Sequence, residues 1–409
     1  MIHYIKVRNF MSFKDEVCLD FEATDDKRLE DYHVVEMADG TRILRFSVLY
    51  GANASGKTNL VKVIEFLRLY WSNVEGNKIR TIPFLFDDQT SKEPTEIEVA
   101  FYVGDNRYEY YLKMTGNTTI YEELFLCNTE QPISIIKRER KGKQRSEITF
   151  NPDIVDLSEP EVKAFSVICL EQMSFFAARD KLNFSEEIPY FDEVWVWTIS
   201  GINHPIGQNT VDLYGNEMEI AWEELIAEDD DARKYIIDFV HKADFNIINI
   251  ETKNDNSSTE DNVHNKKTLF THNISKQKNY KLPSYFQSGG TLRTVALGAL
   301  LYEAHKYNAF VAIDEIETSL HPELVEFIIG QFLEEEPNRS QMLITTHYAK
   351  LLDTVDDLLR RDSVWFVEKH ENGSSELYSL IEFKGVDDMD HLHGAYMNGR
   401  FGALPHLKY

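Results

Sequence analysis

The stretch Tyr50-Gly51-Ala52-Asn53-Ala54-Ser55-Gly56-Lys57-Thr58-Asn59-Leu60 constrains this chain more than any other, because it fits G-x-x-x-x-G-K-[ST] without a gap. Upstream, Ile43 to Tyr50 is rich in residues suited to a buried strand; downstream, Leu60, Val61, Val63, Ile64 and Leu67 recur at helical spacing to about Asn73. A strand, a glycine loop and a helix in that order turn backbone N–H groups inward around a phosphate, and the helix adds its positive N-terminal end. Gly51, Asn53, Ala54, Ser55 and Gly56 are then the cradle of a nucleotide. Lys57 reaches the β- and γ-phosphates and Thr58 holds Mg²⁺.

Composition narrows the class. With 409 residues, 43% of them hydrophobic, the chain can bury one large core or two modest ones. A formal charge of −26 opposes non-specific attraction to nucleic-acid phosphates, so a DNA-coating role is disfavoured. Cys18, Cys127 and Cys169 stand far apart without a C-x-x-C pair, which points away from a disulfide framework or zinc knuckle and fits a reducing cytoplasm. The start, Met1 to Arg8, alternates like a strand instead of showing a signal peptide's apolar core, and no apolar run nears about 18 residues, so neither secretion nor a membrane span is expected.

Taken in order, Ile2 to Phe21 predicts a hairpin, and Asp25 to Asp31 a charged loop. Three runs from Glu96 to Cys127, separated by Gly104-Asp105-Asn106 and Gly116-Asn117, predict an antiparallel meander. A further hairpin joins Ile133–Ile136 to Glu147–Phe150. Its tip carries Lys137, Arg138, Arg140, Lys141, Lys143 and Arg145, either a solvated tip or a contact for nucleic acid or an acidic partner. Glu159 to Phe184 and Glu217 to Ala243 show helical spacing without a sustained heptad, and Trp195 and Trp197 between them suit a small core. Asn254 to Asn265 reads as a flexible loop.

Four later features fit the partner half of a nucleotide site. Gln287-Ser288-Gly289-Gly290-Thr291 opens an apolar helix, so Ser288, Gly289 and Gly290 could donate to a phosphate. Phe310 to Ile313 is an apolar strand ending in Asp314, suited to Mg²⁺, and Glu315, suited to activate the attacking water. Glu317 to Pro322, with Ser319 inside it, is a turn before a helix that Pro322 can open. Gln341 to Thr346 is a second apolar strand, ending in His347, at the edge where parallel α/β sheets bind ligands.

In type and order these motifs resemble the ABC-type ATPase heads, the group containing SMC, RecF and OLD proteins. Asn9-Phe10-Met11-Ser12-Phe13 and Gly399-Arg400-Phe401-Gly402-Ala403-Leu404-Pro405 further resemble the short bacterial AAA-domain abortive-infection ATPases of the AbiLi and RloA kind. The resemblance implies an α/β fold: an ABC-type head with a mixed-sheet core, an antiparallel β subdomain and an inserted helical subdomain. The expected division is an N-terminal ATPase lobe over 1–155, a mainly helical insertion over 156–280 and a C-terminal lobe over 281–409.

It further implies ATP and Mg²⁺ as ligands, Glu315 and His347 as catalytic residues, and a homodimer or higher homo-oligomer in which Ser288 to Gly290 of one subunit closes over ATP held by the other. Two departures stand out: Thr291 replaces the glutamine usual in transporter heads, and Gln89 is only a weak candidate for the Q-loop. The tail after His347 is short for a Toprim nuclease domain, and the crowding of Asp387, Asp388, Asp390, His391 and His393 reads as a solvated turn rather than a metal site. The expected role is a cytoplasmic ATPase in anti-phage defence acting with a separately encoded effector. The alternatives are a RecF-like DNA repair clamp and a nucleotide-switched scaffold or toxin–antitoxin component.

Overall fold

The computed structural model describes all residues except 77–78, 143–145, 183–186, 204, 206–221, 244–245, 255–265, 276–277, 335–337, 388 and 406–409. The chain begins with β1 (Ile2–Arg8) and β2 (Val17–Asp20), then a short α1 (Glu30–His33), β3 (Val34–Glu36), β4 (Arg42–Leu44), β5 (Phe46–Tyr50) and α2 (Lys57–Trp71). The meander follows as β6 (Thr95–Val103), β7 (Asn106–Thr115) and β8 (Thr118–Leu126), with β9 (Ile133–Glu139) and β10 (Glu147–Phe150). Helices α3 (Glu159–Ile168), α4 (Phe175–Lys181), α5 (Phe191–Ser200), α6 (Trp222–Glu228) and α7 (Asp230–Ala243) come next. Then come β11 (Ile247–Asn254), β12 (Lys266–Ser275), β13 (Lys278–Pro283) and α8 (Gly289–Tyr307). The chain closes with β14 (Phe310–Ile313), α9 (Pro322–Glu334), β15 (Gln341–Thr346), β16 (Val364–Lys369), β17 (Ser375–Ser379) and α10 (Leu392–Met397).

Two sheets carry the architecture. One is antiparallel in the order β10-β9-β8-β7-β6-β1-β2, which joins the predicted N-terminal hairpin to the predicted meander. The other runs β14-β15-β5-β16-β17, with the first four strands parallel and β17 antiparallel. In this sheet β5 is central and buried at every position, as a strand covered on both faces must be. Leu49 packs into the cluster shared with α2 and the seven-stranded sheet, whereas Phe46, Val48 and Tyr50 face a second cluster with α7, α8 and α9. Buried Gln341 joins the sheets: its amide donates to Ile2 O at 2.8 Å and Leu44 O at 3.0 Å.

Several expectations change. The run Ile43 to Tyr50 is two strands, broken at Arg45, whose buried guanidinium donates to the carbonyls of Tyr32 and Phe332. The two tryptophans lie on α5, and Trp197 stacks on Phe101 with centroids 4.3 Å apart, inside the main core rather than a separate one. Strands β11 to β13 form a three-stranded antiparallel sheet that the sequence reading did not place. The loop read at Asn254 to Asn265 lies, past Asn254, outside the described residues.

The basic hairpin needs a correction. Arg138 is not at a tip: it is 1% exposed, because alternation along β9 turns it inward to pair with wholly buried Glu122 at 3.4 Å. Burial pushes the Glu122 carboxyl up to about 7 despite that guanidinium. Of the others, Lys137 pairs with Glu139, Arg140 with Glu171 and Lys141 with Glu147, so local acids neutralise the cluster. Lys143 and Arg145 lie outside the described residues.

Candidate functional site

The glycine loop connects the C-terminal end of β5 to the start of α2, and its two glycines are fixed by crowding. A Cβ on Gly51 would lie 2.6 Å from Ser55 Oγ and against Val367 O; one on Gly56 would lie 2.8 Å from Ser12 Oγ and 2.5 Å from Ser375 Oγ. Gly56 also has φ +122°, a conformation that L side chains rarely adopt. Ala54 is left-handed at φ 60°, which turns the loop back toward α2, and Asn53 and Ala54 remain exposed at its tip. Asn59 donates to Ser12 Oγ at 2.7 Å, so the β1–β2 connection braces the loop from the side.

Lys57 is buried at the first position of α2. Its ammonium donates to Gly51 O at 2.8 Å and Ala52 O at 3.2 Å and lies 3.3 Å from His347 Nε2. Burial lowers its pKa to about 8, against the opposing pull of Asp314, Glu315 and Glu317. Burial, and then Lys57, lower the pKa of His347.

The carboxylates meet the loop where β14 ends beside β15. Thr58 donates its hydroxyl to Asp314 Oδ2 at 2.8 Å, and Thr345 donates to the other oxygen at 2.6 Å. The Glu315 N–H donates to Thr345 Oγ1 at 2.8 Å, and a left-handed φ of 48° at Glu315 turns its side chain toward His347, 3.9 Å away. The sequence reading missed two positioning residues here. Thr345 links both acids, and Glu317 accepts from His347 N at 2.6 Å and from Thr346 Oγ1 at 2.8 Å. A polar pair closing an apolar strand and a third acid two residues after the first two were the available signals.

Ser288 to Gly290 and Ser319 form a separate patch. Ser288 caps α8 by accepting from Thr291 N at 3.0 Å and is exposed, and a Cβ on Gly290 would lie 2.7 Å from Ser319 O. No described hydrogen bond joins this patch to the glycine loop. Gln89 is exposed and donates to Glu93 within its own turn. His393 pairs with Asp353 at 3.4 Å, and Asp388 lies outside the described residues. Among the described residues no helix is long and apolar enough to cross a membrane.

The donor set suits a magnesium nucleotide. A buried ammonium flanked by backbone carbonyls needs an anion, the Ser55 hydroxyl is buried without a partner among the described residues, and Thr58 with Asp314 offers hard oxygen ligands. A strand, glycine loop and helix facing a strand-end acid pair and histidine define the class of P-loop ATPases. Residues 46–165 and 221–353, more than half the chain, match the family described as "AAA domain, putative AbiEii toxin, Type IV TA system"; the chain belongs to that family.

No curated protein matches the sequence. Among solved structures, the chain is similar to an SMC head domain from Thermotoga maritima at 14% identity, covering 92% of this chain and 98% of that one, with a TM-score of 0.44. It is also similar to an SmcHead bound to the C-winged helix domain of ScpA, at 13% identity, 95% and 99% coverage and a TM-score of 0.45. A third is the Smc head domain with an extended coiled coil bound to the C-terminal domain of ScpA, derived from Pyrococcus furiosus, at 13% identity, 93% and 97% coverage and a TM-score of 0.45.

Proposed function

We propose that the protein binds and hydrolyses ATP, and that hydrolysis gates a homodimer serving anti-phage defence together with a separately encoded effector. The observation that carries this is the meeting of Lys57 and Thr58 with Asp314, Glu315 and His347 at the ends of three adjacent parallel strands. In this reading the loop's N–H groups and Lys57 hold the triphosphate. Glu315 accepts a proton from the attacking water, and His347, fixed by Glu317, faces the γ-phosphate. Thr58 and Asp314 would hold Mg²⁺, which supplies charge neutralisation on the phosphates. Ser288 and Gly289, exposed at the start of α8 and with no described hydrogen bond to their own glycine loop, suit contact with ATP on a partner subunit. The experiment is ATP turnover by wild type and Glu315→Gln: turnover in wild type only, with the variant retaining ATP as a dimer, supports the reading, and equal negligible turnover sinks it.

A second reading is favoured by the family description, which names a type IV toxin–antitoxin system. The protein would then use bound nucleotide as a switch with little turnover. A RecF-like DNA clamp is the weaker alternative, given a charge of −26 and the pairing of the described hairpin cations with acids.

A further inference from the structure

We propose that the turn Gly399–Pro405 is part of the nucleotide site, closing the cavity above the glycine loop and contacting the nucleoside triphosphate bound there; this rests on the ATP-binding reading above. The cavity has a volume of about 760 Å³, and one wall is Gly51, Asn53 and Ser55 with His347. That size lies within the roughly 300–1,000 Å³ typical of small-molecule sites. The same cavity is lined by Tyr396 with Ala403, Leu404 and Pro405. Ser55, whose hydroxyl is buried without a partner among the described residues, lies on the loop side of this space and leaves a polar group for a ligand to satisfy.

The turn is built to stand where it does. Gly402 has φ +62°, and a Cβ there would lie 2.7 Å from Tyr378 OH and against the Glu368 carboxylate. Ala403 follows with φ 55°, a left-handed conformation uncommon for a residue with a Cβ. Two tyrosine hydroxyls hold the backbone: Tyr378 donates to Phe401 O at 2.8 Å and Tyr396 to Ala403 O at 3.1 Å. Phe401 is fully buried against Phe366 and Phe383. Since Phe366 pairs with Tyr50, the residue preceding the glycine loop, the anchor registers the turn directly on the loop's own strand. Beyond it Leu404 is half-buried and Pro405 exposed. Leu404 packs partly on the core cluster of Tyr396 and Phe401 and, with Pro405, also lines the cavity, so a rigidly held apolar edge borders the phosphate cradle, the form of a ligand contact.

The test is binding of a fluorescent ATP analogue with Mg²⁺ to the full chain, comparing wild type with the double variant Leu404→Ala/Pro405→Ala. Pro405 is exposed and Leu404 only partly buried against the core, so the variant should stay folded, with a slightly lower melting temperature. Its Kd is expected to rise at least about fivefold, the order set by losing one apolar contact. In wild type, ATP should also slow hydrogen exchange of the backbone over residues 396–404. Gly402→Val, which displaces the turn, should reproduce the affinity loss if folded. Wild-type affinity in the folded double variant, or unchanged exchange on adding ATP, overturns the turn's role while leaving ATP binding intact. Absence of nucleotide binding by wild type overturns both readings.

Discussion

The hydroxyl of Thr58 donates to Asp314 at 2.8 Å, joining the first turn of α2 to the end of β14 across 256 positions. The two residues bring opposite halves of one site into contact. Replacing Asp314 by Asn keeps the shape but removes the charge a divalent cation needs. The expected result is ATP binding that no longer strengthens when Mg²⁺ is added, checked by titration with and without the ion.

Lys57→Ala removes the only buried cation that touches the loop carbonyls among the described residues. ATP affinity should fall by roughly a hundredfold or more, as expected for losing a desolvated charge-assisted contact to phosphate. Equal affinity in the folded variant would remove Lys57 from the site.

Glu315→Gln should lower turnover by about 10² or more while preserving ATP binding, the pattern of a lost general base. Glu317→Gln should act more mildly and through His347, whose N–H it accepts at 2.6 Å, lowering kcat more than ATP affinity. Steady-state kinetics beside a binding titration separate the two.

The depressed pKa of Lys57 sets a pH dependence. Its ammonium is charged in the free protein below about pH 8, whereas its ordinary value is 10.5. Between those values the unfolded chain keeps a proton the folded protein has released, so this residue makes stability rise with pH across that window. Nucleotide phosphates favour the charged form and restore the proton. ATP binding near pH 9 should therefore take up a proton, and calorimetry in two buffers of different ionisation enthalpy reads it directly.

Arg138→Met should destabilise the fold by about 3–5 kcal/mol, because it leaves the wholly buried Glu122 without its cation. The double variant Arg138→Met/Glu122→Leu should recover much of that loss in chemical denaturation. Full stability in the single variant would show that the pair is not a structural ion pair.

The local signals in the sequence survive well. The strand, loop and helix around Gly51 to Thr58, the strand that delivers Asp314, the strand that delivers His347 and the β6–β8 meander all stand where alternation and glycine turns put them. What was illegible depends on tertiary partners. Arg45 breaks a hydrophobic run because distant carbonyls receive its guanidinium, and Arg138 leaves a basic run because Glu122 lies opposite in the core. Thr345 and Glu317 stand beside the site residues in sequence, but their positioning roles arise only when β14 and β15 lie side by side. The sheet β11–β13 sits beside polar, turn-forming residues that masked its alternation.

The placement of β5 has a consequence for synthesis of the protein. It is the middle strand of its sheet, yet both its neighbours, β15 and β16, are encoded roughly 290 residues or more downstream. At about 5–20 residues per second, a ribosome leaves this apolar strand without its partners for on the order of 15–60 seconds. During that interval the emerging chain needs shelter, by docking against the early seven-stranded sheet or by a chaperone, and the protein's yield in cells should depend on translation speed between residues 51 and 369 as much as on the stability of the finished fold.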